Sequence, residues 1–192
     1  MSVLLCLKYA YNQSAKIDGI TPNIENINNK SYKISRPFNI ITKDTNPLIE
    51  DFLSYSISAK EVIEKAGYIA TKSTKFSSKK SGKIVIAGSS SITPLMEKLV
   101  ESYKNINPNV SIEIQQSDST TGINSVLEGI ADIGMVSREL KSAEINKGIK
   151  VQVLAIDGLA VIVNKANTID NLSKDAIKAI YTGEITNWDK LK

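Results

Sequence analysis

In the second half of the chain, apolar positions recur with two alternating periods. Residues 83–87 (KIVIA) form a compact β-branched run, and residues 94–106 then place Leu95, Leu99 and Tyr103 on one helical stripe, with Met96 and Val100 beside it. Residues 110–115 (VSIEIQ) alternate apolar and polar, as a half-buried strand does. Residues 121–129 carry Ile123, Val126 and Leu127 at helical spacing, and residues 133–136 (IGMV) predict a short strand. Residues 151–155 and 159–164 predict two more strands, and residues 173–181 a helix with Ser173 as N-cap and Gly183 just past its end. Regular strand–helix alternation of this kind predicts an open, mainly parallel α/β sheet flanked by helices.

The first part of the chain is patterned differently. Residues 3–11 are a short apolar run suited to a buried strand, and residues 32–42 (YKISRPFNIIT) predict another, interrupted at Pro37. Residues 47–66 hold Leu48, Phe52, Ile57, Val62 and Ile63 at spacings of three to five, which predicts one helix or two short ones ending at Gly67. Residues 70–82 (ATKSTKFSSKKSG) have almost nothing to bury and read as a linker.

Composition narrows the chemistry. The 192 residues suffice for one mid-sized domain or two small ones, and no apolar run approaches the ~20 residues of a membrane helix. With no histidine and Cys6 as the lone cysteine, Ser-His-Asp and Cys-His catalysis, imidazole metal sites, an internal disulfide and a multi-cysteine zinc site are all excluded. The net charge of +4 comes from lysines scattered among Asp and Glu, with Arg36 and Arg138 the two arginines. A nucleic-acid reader would cluster its basic residues and interleave aromatics, so no nucleic-acid partner is expected.

Three polar turns follow three successive predicted strands: Gly88-Ser89-Ser90-Ser91, then Ser117-Asp118-Ser119-Thr120-Thr121-Gly122, then Ser137-Arg138-Glu139. The first two lead into helices, where outward backbone N–H groups and the helix dipole favour anions. In an open α/β sheet, turns at the carboxyl ends of neighbouring strands meet in one crevice. Hydroxyls and amides there would be neutral donors, and Arg138 a planar charged fork suited to a tetrahedral oxyanion. Ser and Thr at such places also serve simply as caps and turn formers. Among other residues, Cys6 reads as a buried hydrophobe and Trp188 as packed after the 173–181 helix. Arg36 could reach a ligand, form an ion pair or cap a carbonyl, and Asp132 and Asp157 are expected to cap backbone amides. Asp118 beside an anion would have to be protonated or turned outward.

With these motifs in view, residues 81–192, from GKIVIAGSSSITPLMEKLV through DSTTGINSVLEGIADIGMVSREL to GEITNWDKL, closely resemble the N-terminal half of the phosphate-binding proteins of bacterial phosphate ABC importers. That resemblance implies a type II periplasmic-binding-protein-like fold of two lobes that close on one phosphate ion and present it to a membrane permease. It implies phosphate ligation by Ser90, Ser91, Ser119, Thr120 and Arg138, with Ser137 as an addition, and neither cofactor, metal nor catalysis. Residues 1–72 resemble the C-terminal part of the same family, so the halves stand in reversed order, as in a circular permutation.

The resemblance therefore divides the chain into residues 1–72 completing the first lobe, a linker at 73–82, the core of the first lobe at 83–158 and a fragment of the second lobe at 159–192. The family's Gly-Ser-Gly-Thr-Arg-like turn is absent, so the second lobe is expected to be only partial, and a homodimer through it is a further expectation. The relatives work outside the cytoplasmic membrane, although Cys6 follows Leu5 and reads as no lipoprotein cysteine, and no signal peptide is expected. Two alternatives stay open: a permuted scaffold with little binding, or a binder of another tetrahedral oxyanion.

Overall fold

The computed structural model describes residues 12–70 and 80–191. The run expected as a strand over 3–11, with Cys6, and most of the expected linker lie outside the described residues. The chain forms two compact units: residues 1–35 with 158–192, and residues 36–157. The expected blocks divided the sequence at 72 and 158, and the compact units divide at 35/36 and 157/158. Residues 36–70 bury their apolar side chains in the same core as residues 83–157, whereas residues 12–35 pair with the chain beyond 158.

The first unit begins with two short strands, β1 (Asn12–Ser14) and β2 (Lys16–Ile17), and a one-turn helix, α1 (Ile24–Asn28). Asn23 caps α1 by accepting the Asn26 N–H at 2.8 Å.

The second unit runs β3 (Ser35–Thr42), α2 (Pro47–Ser58), α3 (Lys60–Lys65), β4 (Ile69–Ala70), β5 (Gly82–Ser89), α4 (Thr93–Ile106), β6 (Val110–Ser117), α5 (Ser119–Leu127), β7 (Ile133–Val136), α6 (Ser142–Ile145) and β8 (Lys150–Gly158). Its six-stranded sheet has the order β4-β8-β3-β7-β5-β6. Strand β5 is parallel to both β6 and β7, while β3 is antiparallel to β7 and β4 to β8. The period-2 pattern explains why helices cover both faces. Ile84, Ile86, Ile133, Met135, Phe38 and Ile40 point to the side of α2 and α4, and Ala87, Val136 and Ile41 to the side of α5.

Pro37 does not interrupt β3 as expected. Pairing with β7 begins only at Asn39, so the missing N–H falls outside that ladder. Residues 47–66 form two helices that meet at Ala59, with Asn46 capping the first by accepting from the N–H groups of Leu48 and Ile49. The glycine expected to end them, Gly67, has φ +90°, a left-handed conformation to which glycine is suited.

The first unit resumes with β9 (Ile162–Asn164), β10 (Asn171–Leu172) and α7 (Lys174–Thr182). Strand β9 lies antiparallel to β1, and β10 parallel to β2. The strand expected over 159–164 is shorter because Leu159 is engaged elsewhere: its N–H donates to the Ile34 carbonyl and its carbonyl accepts the Tyr32 hydroxyl at 2.8 Å. Helix α7 has the expected caps, Ser173 accepting the Ala176 N–H and Gly183 at φ +81°. Trp188, expected to pack, is instead half-exposed in a short 3-10 turn. Among the described residues no helix is long and apolar enough to cross a membrane.

Candidate functional site

Strands β7, β5 and β6 are neighbours and parallel, so the three polar turns leave the sheet at the same end. Helix α4 packs on one face of the sheet and α5 on the other, so their first turns flank the end of β5. Two glycines set how tightly α5 closes on it. A Cβ on Gly122, in the first turn of α5, would sit 2.8 Å from the Gly88 Cα and 3.0 Å from the Ala87 carbonyl oxygen. A Cβ on Gly88 would collide with the Met135 carbonyl. The helix therefore rests on bare backbone of β5 and β7.

This contact ties the turns together by hydrogen bonds. The Ser137 N–H donates to Ser119 Oγ at 3.1 Å, linking the turns after β7 and β6. Ser89 Oγ donates to Ser137 Oγ at 2.9 Å, linking the turns after β5 and β7. The Ser90 N–H donates to the Ser117 carbonyl at 3.0 Å, and the Ser91 N–H to Ser89 Oγ at 3.3 Å. Ser90, Ser91, Ser119 and Ser137 are thus brought into one bonded cluster, with Thr120 exposed in the first turn of α5 and Arg138 next to Ser137. Ser89, named in the first turn but not among the ligand residues, is buried as the last residue of β5 and fastens the cluster.

The helix N-termini differ from expectation. Asp118 is the exposed N-cap of α5, with Oδ1 accepting from the N–H groups of Thr120 and Thr121, and Oδ2 accepting the Thr121 hydroxyl at 2.7 Å. Those bonds, the Thr121 hydroxyl first, hold its carboxyl below the ordinary value. The first amides of α5 are therefore taken by the chain's own carboxylate. Helix α4 opens at Ile92 with no side-chain cap.

Arg138 is held at both ends. Its Nη1 and Nη2 donate to the two oxygens of Glu144 at 2.9 and 2.8 Å, and Nη1 also donates to the Glu139 carbonyl at 3.0 Å. The guanidinium's hydrogen bonds push the Glu144 carboxyl down to about 2 and raise Arg138 in turn. An end-on pair of this kind uses the Nη1–Nη2 edge, and leaves the Nε–H and the second Nη2 hydrogen side by side. At the backbone, the Arg138 carbonyl accepts from Asn39 Nδ2 at 2.8 Å. Asn39 lies in the middle of an apolar strand and carried no motif signal.

The remaining candidates are structural. Asp132 caps as expected, its Oδ2 accepting the Val85 N–H at 2.8 Å. Asp157, expected to cap an amide, instead pairs with Arg36, whose Nε and Nη2 both reach Oδ2 at 2.9 Å while its guanidinium lies 5.5 Å above the Phe38 ring. A cavity of about 500 Å³ lined by Ile40, Thr42, Glu50, Leu53, Val151 and Val153 sits at the opposite end of the sheet, away from the three turns. Among the described residues no group of carboxylates or thiols is arranged to hold a metal ion.

Comparison with known proteins bears on this geometry. Residues 73–192 match the model of the PBP superfamily domain. The phosphate-binding protein PstS 2 of Streptococcus agalactiae is 50% identical over 182 residues, taking in 92% of this chain and 62% of that protein. The crystal structure of a phosphate ABC transporter phosphate-binding protein from Streptococcus pneumoniae TIGR4 superposes with a TM-score of 0.89 at 37% identity, over 94% of this chain and 72% of that one. An ABC-type phosphate transport receptor from Vibrio cholerae gives a TM-score of 0.53 at 39% identity over 57% of this chain and 44% of that one. The chain spans less than two thirds of the length of these curated relatives, 62% for the S. agalactiae protein.

Proposed function

This chain belongs to the PBP superfamily, and from that premise we propose that it binds inorganic phosphate as part of the solute-binding component of an ABC importer. The observation that carries the reading is the bonded cluster Ser89–Ser137–Ser119, which gathers three turns at one end of parallel strands beside a pre-aimed arginine. The Nε–Nη2 edge of Arg138 takes two phosphate oxygens as a fork, and the hydroxyls of Ser90, Ser91, Ser119, Thr120 and Ser137 donate to the others. Phosphate would be held by donors alone and passed to a membrane permease outside the cytoplasm.

In this reading residues 36–157 are the lobe that carries the site, and residues 12–35 with 158–191 belong to the other lobe. A second reading, another tetrahedral oxyanion, shares the same donors. Calorimetric titration with phosphate and then sulfate tests both. Saturable heat with phosphate that vanishes in Arg138→Ala is expected; heat with sulfate alone favours the second reading, and a folded sample silent to both overturns the proposal.

A further inference from the structure

Strand β3 gives the candidate site neither hydroxyl nor charge, yet it aims one buried polar side chain at it. Asn39 is 2% exposed and stands between Phe38 and Ile40, where a β-branched or aromatic residue would suit a buried strand. The register accounts for its place. Asn39 lies opposite Val136, the last residue of β7, so the main chain beyond Val136 has run past the β3 ladder. Two residues on, the Arg138 carbonyl accepts from Asn39 Nδ2 instead. The side chain thus extends the sheet's hydrogen bonding beyond the end of the strand. On the other side of the same turn, the Ser137 N–H is held by Ser119 from α5.

We propose that Asn39 is the positioning residue of the site, fixing the main chain of the Ser137–Arg138 turn so that Arg138 meets an oxyanion already oriented. The inference rests on the phosphate-binding reading. Glu144 fixes the far end of the Arg138 side chain, but that clamp aims the Nε–Nη2 edge only if the near end is fixed as well. With Asn39 in place both ends are set before the ligand arrives, and little ordering remains to be done on binding.

The test compares the parent chain with Asn39→Ala and Asn39→Asp, by phosphate titration between pH 5 and 8 and by the nitrogen-15 signals of the Ser137 amide and Arg138 Nε without ligand. Asn39→Ala is expected to bind about tenfold more weakly, as for one lost hydrogen bond to a buried carbonyl, and to shift both signals. Asn39→Asp lacks the donor when ionised and regains an O–H donor when protonated, so its affinity relative to the parent rises as pH falls. Should neither variant fold, Asn39→Thr, suited to a strand, is expected to show the same loss. Variants that lose stability while keeping parental affinity and unmoved signals overturn the inference. A parent that binds no phosphate sinks the functional reading instead, and the ligand-free signals still decide the role of Asn39.

Discussion

Arg36 and Arg138 have side chains exposed to the same extent, 33%, and each is paired with a carboxylate, yet they use their donors in opposite ways. Arg36 turns its Nε–Nη2 edge inward, both nitrogens on one oxygen of Asp157, and lies over the Phe38 ring. Arg138 gives its Nη1–Nη2 edge to Glu144, a pair that leaves the Nε–Nη2 edge out. Their partners differ too. Burial pushes the Asp157 carboxyl up despite the arginine beside it, whereas hydrogen bonds from Arg138 pull Glu144 down to about 2. Which edge the internal carboxylate occupies, more than exposure, distinguishes Arg36 from Arg138, to which the proposed function gives an anion.

Removing each arginine should break the comparison most clearly. Arg138→Ala is expected to weaken phosphate binding by at least 100-fold, about 3 kcal/mol for two charge-assisted hydrogen bonds, with little change in the urea midpoint. Arg36→Ala should do the reverse, leaving affinity within about twofold and costing about 3 kcal/mol of stability, because it strands the buried Asp157 carboxylate. Calorimetry and urea denaturation of the two variants, run side by side, check both. A loss of affinity in Arg36→Ala that matched Arg138→Ala would erase the distinction drawn here.

A smaller effect tests what places Arg138. Gly122→Ala puts a methyl group against the Gly88 backbone, and should cost about 2 kcal/mol through overpacking. Because it pushes α5, and with it Ser119, away from Ser137, it should lower phosphate affinity as well as stability. The Arg36–Asp157 pair takes no part in that packing. The Arg36 Nε signal should therefore stay in place while that of Arg138 moves.

The alternating periods of residues 83–136 were readable as strands and helices because each element buries a face whose spacing the sequence displays, and the three turns follow from those strands. Arg138 and the serines of the turns could be named from motif and resemblance. What held them was not visible. Ser89 and Asn39 act through hydrogen bonds to residues 48 and 99 positions away, and no local pattern reports such partners. The choice of edge by each arginine depends in the same way on where Asp157 and Glu144 lie. The division into two compact units was not visible for a related reason. The boundaries at 35/36 and 157/158 pass through strand sequence with no change in composition.

The smallest expected effect is on the acid limb of stability, where the two carboxylates act with opposite sign. Glu144 has a folded value of about 2 against an ordinary 4.5, so the stability it contributes is present above 4.5 and is lost as pH falls toward 2. Both members of its pair are partly solvated, which keeps the contribution modest. Asp157 is raised above its ordinary 3.8, so its contribution is present below 3.8 and is lost as pH rises through the folded value. Glu144→Gln should therefore flatten the fall in stability between pH 4.5 and 2, and Asp157→Asn should remove the gain in stability that appears above that fall, as pH drops from the raised folded value of Asp157 to 3.8. Urea midpoints measured across both ranges for the parent and both variants give the two slopes. Slopes that shift in the same direction would mean that Asp157, like Glu144, is governed by its arginine and not by burial, and that the two pairs differ only in which edge of the guanidinium they hold.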